Sequence, residues 1–160
     1  MEILTFEEAR NTALKYVGYA ARSEAEIAQR LRKCHAPDVI IEAVLADFRD
    51  HGWIDDAEFA RKWVADRANR KLYGKIRLAQ ELQQRGLNRD YVEAALAIDD
   101  EDAEIARAQA ALASKTKNLS HNSEDGKYTQ QEKQKLSGFL QRRGFSFNII
   151  TKVLKQDMEN

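Results

Sequence analysis

The sequence predicts an all-α protein: three tandem three-helix repeats stacked into an elongated, curved array. Three observations carry this. The 160 residues are dominated by Ala, Leu, Glu, Gln, Lys and Arg, which favour helices, with a single Pro and no alternating apolar and polar stretch long enough for a strand. Three 18-residue windows, 28–45, 79–96 and 137–154, superimpose without gaps. Gly86 and Gly144 then fall at one position, just after an apolar helical turn, where a left-handed residue commonly ends a helix.

The first repeat, residues 5–51, opens at Thr5 with Glu8 three positions on, the pairing of a capping box. Ala13, Tyr16, Val17 and Ala20 form an apolar stripe on its first helix. Ser23 with Glu26 starts the second helix, which runs through Leu31 to a break at His35. His35 stands where the other windows have Gly, so it either tolerates a left-handed conformation at some cost or marks a different helix stop. Pro37, with its fixed φ, suits the opening of the third helix, which carries Ile40, Ile41 and Leu45.

The second repeat, residues 52–98, begins at Asp55 with Glu58 and has Ala60, Trp63, Val64 and Arg67 on one side. Leu82, Tyr91, Val92 and Leu96 then coincide with Leu31, Ile40, Ile41 and Leu45, and Asn88 supplies a side-chain acceptor for the last helix. The shift from Tyr16 to Trp63 is 47 residues, but from Leu31 to Leu82 it is 51, which predicts about four inserted residues around Arg70 to Gly74.

In the third repeat, residues 99–157, the first helix is built around Ile105, Ala106, Ala110 and Leu112. Thr129 with Glu132 starts the next, and Leu140, Gly144, Ser146, Ile149, Ile150 and Leu154 repeat the pattern. The polar stretch 116–131 between them predicts a mobile loop. Trp53, Phe59, Trp63 and Phe145, at helical spacing or beside breaks, are expected in the core.

Function is constrained by what recurs and what is missing. Lys plus Arg equals Asp plus Glu at 26 each, so net charge alone argues for neither a nucleic-acid nor a membrane partner. Nothing resembles a signal peptide or a bilayer-crossing run, and the single cysteine, Cys34, cannot form an internal disulfide, so a cytoplasmic home without membrane contact is expected; a monomer is the separate expectation for its oligomeric state. There is no Gly-rich phosphate loop, no nucleophile elbow, and no His pair at ligand spacing among His35, His51 and His121. An enzyme, a cofactor and a metal are therefore not expected. Cys34 beside His35 lacks a second ligand cluster, and Asp55 with Asp56 reads as helix capping.

Charge distribution is more informative. Residues 61–89 hold nine basic side chains against Asp66 and Glu81, an excess of seven, and the acidic run Asp99 to Asp102 with Glu104 follows. The neutral total thus conceals a polarised surface suited to an anionic partner or an acidic protein groove.

The order Gly52-Trp53-Ile54-Asp55-Asp56, Phe59-Ala60, Trp63, Arg67, Gly74, Arg77-Leu78, Glu81-Leu82 and Gly86 resembles the central signature of the RecX family. Ser23-Glu24 with Leu31, and the run Phe139 to Phe145, are similar to its flanking motifs. The resemblance implies three tandem three-helix repeats and a cytoplasmic regulatory protein acting in homologous recombination, DNA repair and the SOS response. It further implies a non-enzymatic modulator of the RecA recombinase that lies in the groove of the ATP-bound filament on single-stranded DNA, where its occupancy acts as an inhibitor of ATP turnover and strand exchange. By position, Arg67, Arg70, Lys71, Lys75 and Arg77, with Arg142 and Arg143, are the expected partner contacts, and Gly74 serves a turn between helices. The competing reading is a direct DNA-binding protein using its basic second repeat; under the first reading, single- or double-stranded DNA alone binds only weakly.

Overall fold

The computed structural model describes residues 2–117 and 127–159, and most of the loop expected over 116–131 lies outside them. Among the described residues there are nine helices and no strand: α1 Phe6–Tyr19, α2 Glu24–Lys33, α3 Asp38–Asp50, α4 Asp56–Lys71, α5 Lys75–Gln84, α6 Arg89–Ala97, α7 Glu101–Thr116, α8 Gln130–Arg142 and α9 Phe147–Glu159. Their order is three helices repeated three times.

Local chemistry fixes the starts. Thr5, Ser23 and Thr129 each accept from the backbone of the Glu three residues on, and that Glu side chain returns a bond to the cap amide. Both outer free donors of a helix start are thereby satisfied. Asp55 accepts from the Glu58 amide at 3.1 Å, and Asp100 from that of Ala103 at 2.7 Å. Pro37 makes no side-chain cap bond.

The three aligned helix stops share one backbone. His35, Gly86 and Gly144 all have positive φ, at 64°, 80° and 92°. In each, the following residue's N–H reaches the carbonyl five residues back: Ala36 to Leu31 at 3.0 Å, Leu87 to Leu82 at 3.2 Å and Phe145 to Leu140 at 3.2 Å. These bonds satisfy last-turn carbonyls and tuck an apolar side chain under the helix end. Ala36, Leu87 and Phe145 are accordingly buried. His35 therefore adopts the left-handed stop and does not use another.

The fold divides into two compact units, Met1–Lys62 with Leu82–Ala94 and Trp63–Glu81 with Ala95–Asn160, the division falling inside α4, α5 and α6. In the first unit α1, α2 and α3 pack pairwise around Ala9, Ala13, Ile27, Leu31, Val44 and Phe48, all fully buried. In the second, α7, α8 and α9 pack around Ala108, Leu136, Leu140, Phe145 and Val153. Each large aliphatic in these sets contributes roughly 1.5–3 kcal/mol through burial.

Three expectations are corrected. No four-residue insertion separates the first two repeats: a constant shift of 51 carries buried Ala9, Ala13, Ile27 and Leu31 onto buried Ala60, Val64, Leu78 and Leu82. Tyr16 and Trp63, which suggested the insertion, are half-buried and occupy different turns of their helices. On α7 the inward face is Glu104, Arg107, Ala108, Ala111 and Leu112, whereas Ala106 and Ala110 point outward. Trp53 is 43% exposed, stacked on His51 at 4.3 Å with Phe48 edge-on at 5.3 Å. Phe145 is in the core as expected, and Phe59 and Trp63 are half-buried.

Candidate interaction site

All seven basic residues singled out by position belong to the second unit. The turn before α5 brings four of them together. Gly74 N–H donates to the Arg143 carbonyl at 2.9 Å and Ile76 N–H to the Gly144 carbonyl at 3.0 Å, so the 72–74 segment lies against the α8 helix stop. A Cβ built on Gly74 would sit 2.6 Å from the Phe145 nitrogen, and one on Gly144 would sit 2.8 Å from the Arg77 Cα. Both glycines are thus required by a close backbone approach. Gly74 does serve a turn, and it also admits the neighbouring chain.

Side chains close over this junction. Arg77 Nη1 donates to the Arg142 carbonyl at 3.3 Å, and Arg143 Nη2 donates to the Lys71 carbonyl. Arg77 Cζ lies 4.2 Å from the Tyr73 ring centroid, Arg143 Cζ 5.6 Å from the same ring and 5.3 Å from Phe139, and Lys115 Nζ 5.4 Å from Phe139. The result is a row in which cations and rings alternate: Arg77, Tyr73, Arg143, Phe139, Lys115. Ring faces attract cations, so the row holds three positive groups near one another where repulsion would otherwise spread them. Lys71 and Arg142 stand exposed beside it.

Lys75 is half-buried; its amide donates to Glu104 Oε2 at 2.7 Å. Arg67 and Arg70 do not join the row. Arg67 Cζ lies 4.6 Å from the Trp63 ring centroid, and Arg70 pairs with Asp66 at 3.3 Å.

The basic stretch 61–89 is divided between the two units. Arg61, Lys62, Arg85 and Arg89 fall in the first unit, where Lys62 pairs with Glu58, Arg85 with Glu26 and Arg89 with Glu93. The acidic run is also partly internal. Asp99 receives two bonds from buried Arg107 at 2.6 Å each, Arg107 Nε donates to the Tyr73 carbonyl at 3.0 Å, and Glu104 is 6% exposed. Those acids neutralise buried donors and contribute less to the surface field than their sequence suggests.

Sequence reasoning missed Phe139 and Lys115 as members of the row. Their separation in the chain carries no helical signal; only the packing of α7 on α8 brings them together. It also missed the cap that Glu104 gives Lys75. That cap has a counterpart in the first unit, where Asp56 Oδ1 accepts from the Glu24 amide at 3.0 Å. Asp56 is 8% exposed, and burial raises its carboxyl above the usual aspartate range, opposed by the Glu24 amide bond.

Comparison with known proteins follows the same segmentation. Residues 9–48 match the model for the first three-helix domain of RecX, 55–96 that for the second and 99–154 that for the third. The regulatory protein RecX of Mycobacterium avium is 35% identical over 152 residues, covering 95% of this chain and 86% of that protein. The RecX of Thermobifida fusca is 32% identical over 154 residues, covering 96% and 80%. In fold, the chain is similar to the crystal structure of RecX from Lactobacillus salivarius, with a TM-score of 0.86 at 21% identity over 97% of both chains. A second crystal structure of a regulatory protein RecX gives a TM-score of 0.81 at 23% identity, covering 94% of this chain and 73% of that one. With all three domains matched in order and relatives above 30% identity along nearly its whole length, the chain belongs to the RecX family of regulatory proteins.

Proposed function

We propose that this protein is a non-enzymatic inhibitor of the RecA recombinase that binds in the groove of the ATP-bound filament on single-stranded DNA. Family membership supports a recombinase regulator. The observation that carries the binding surface is the cation-aromatic row of the second unit, flanked by Lys71 and Arg142. Arg77 and Arg143 are held by ring faces and backbone carbonyls, so they present charge with little side-chain freedom left to lose on binding. Acidic protein side chains and DNA phosphates both suit such an array, and neither requires a reacting group. Arg67, Arg70 and Lys75 extend the contact as outlying members.

The test is the single-stranded-DNA-dependent ATP turnover of a bacterial RecA at saturating DNA, titrated with this protein. Suppression below one molecule per recombinase protomer is the expected result. No effect at excess sinks the proposal. Binding to bare DNA should be weak at physiological salt and fall steeply as salt rises. Tight, salt-tolerant binding to bare DNA would instead favour a direct DNA-binding protein.

A further inference from the structure

The groove between α8 and α9 corresponds to a face of the first repeat that the fold covers in part. The alignment that pairs Leu31 with Leu140 pairs Glu24, Ala25 and Ala28 of α2 with Lys133, Gln134 and Ser137 of α8. It pairs Ile41, Leu45 and Arg49 of α3 with Ile150, Leu154 and Met158 of α9. In the first unit this face is covered at Glu24, Ala28 and Leu45, while Asp38 and Glu42 stay exposed. Asp56 bonds the Glu24 amide, Arg49 pairs with Glu24, the Gly86 turn touches Ala25, and Leu45 is 4% exposed in one core with Ile54. In the second unit the corresponding residues line an open groove of about 470 Å³.

The open face is also remade in chemistry. Where the first repeat has Glu24, Asp38 and Glu42, the third has Lys133, Phe147 and Thr151, and where it has Arg49 the third has Met158. No acidic residue lines the groove; its charged members are Lys133 and Lys155, and neither is in an ion pair among the described residues. Phe147 is 81% exposed at one end. Gly138 opens the floor from the middle of α8, where glycine weakens a helix relative to Ala. Unlike Gly74 and Gly144, it meets no neighbouring backbone, only the Arg142 Nη1 at 3.2 Å from its built Cβ. Nothing within the fold requires that glycine.

We infer that this groove is a docking site for an acidic amphipathic helix of a partner protein. The lining positions recur at three, four, seven, eight and eleven residues along both α8 and α9, a length of about three turns. Apolar side chains of the incoming helix meet Phe147, Leu154 and Met158 over a floor that includes buried Ile150, and its carboxylates meet Lys133 and Lys155. A second copy of this chain is a poorer occupant. Covering the face as the second repeat covers the first would place His35 where Gly86 stands, and a Cβ there lies 2.5 Å from the Ala25 Cβ.

The experiment uses the full chain and a fluorescent synthetic helix of about four turns with Leu along one face and Glu elsewhere. One control has the same composition with the Leu residues scattered; the other has Lys for Glu. The patterned acidic peptide should bind at least about tenfold tighter than either control, a difference of about 1.4 kcal/mol. Phe147→Ala should weaken it about fivefold, and Gly138→Leu should abolish binding by filling the groove, with helicity unchanged in both. Lys133→Glu with Lys155→Glu should reverse the preference toward the Lys peptide. Equal affinity for the three peptides, or variants that bind like the parent, would overturn the inference. So would self-association of the parent protein that is lost in Phe147→Ala, since a second copy would then own the groove.

Discussion

The helix stop at His35 and the helix stop at Gly144 share a backbone and differ in what approaches them. Both residues have positive φ, and both are followed by an amide bonded to the carbonyl five residues back. Around Gly144 the Arg77 backbone comes so close that any Cβ would overlap it. His35 is exposed, so a side chain can stand there at the cost of a left-handed backbone alone. Gly86 resembles Gly144, with the Ala25 Cβ in the way. The alignment thus contains two requirements for glycine, conformation and approach, and only the second is absolute.

The largest effect is expected from Gly144→Ala. Overlap with Arg77 combined with the strained φ should cost about 3 kcal/mol or more, seen as loss of the cooperative unfolding transition of the second unit in urea. A variant that melts like the parent would show that the backbone approach at this stop is looser than described. Arg143→Ala comes next. It deletes the bond to the Lys71 carbonyl and the contacts with Tyr73 and Phe139, for about 1–2 kcal/mol by chemical denaturation.

At the first repeat the sign reverses. His35→Gly should stabilise by a few tenths to about 1 kcal/mol, because relief of the left-handed strain outweighs the added freedom of the unfolded chain. A measured loss would mean that the His35 side chain has a native role. A smaller effect is expected from Asp56→Asn. The folded protein holds the Asp56 proton more tightly than the unfolded chain does, so this group's contribution to stability falls as pH rises from the ordinary aspartate value through the raised one. Asn keeps an acceptor for the Glu24 amide and should flatten that part of the pH-stability curve, read from urea midpoints. An unchanged slope would assign it to other carboxylates.

What could be read from the sequence follows the size of the signal each residue gives. The stops at Gly86 and Gly144, the capping boxes and Leu31, Leu82 and Leu140 stood out because glycine, Ser or Thr with Glu, and a large apolar residue are strong local markers, and the stop at His35 followed only from its alignment with the two glycines. The register of the first helices was misplaced because their buried positions are small, Ala9, Ala13, Ala60 and Ala68, while the eye-catching Tyr16 and Trp63 are half-buried. Glu104 reads as surface charge and Asp56 as a cap of its own helix, although each is buried and bonded to an amide distant in sequence. At the proposed binding surface the arginines were identified as charges, but not their anchoring. Replacing Arg70, Lys71, Lys75 and Arg77 together would mix surface with packing, because Arg77 spans Tyr73 and the Arg142 carbonyl.

A cleaner variant follows from that distinction. Arg70, Lys71 and Arg142 are exposed, and the carbonyls of Lys71 and Arg142 that accept bonds survive side-chain truncation. The direct test of the binding surface is the triple variant Arg70→Ala, Lys71→Ala, Arg142→Ala in the DNA-dependent ATP turnover assay of RecA, with its unfolding midpoint measured alongside. An unchanged midpoint is expected, with at least about tenfold more protein needed for half-suppression, since three charges near phosphates or carboxylates each contribute a fraction of a kcal/mol or more. Suppression equal to that of the parent protein, at equal stability, would contradict this expectation and move the interaction surface away from the second unit's basic row.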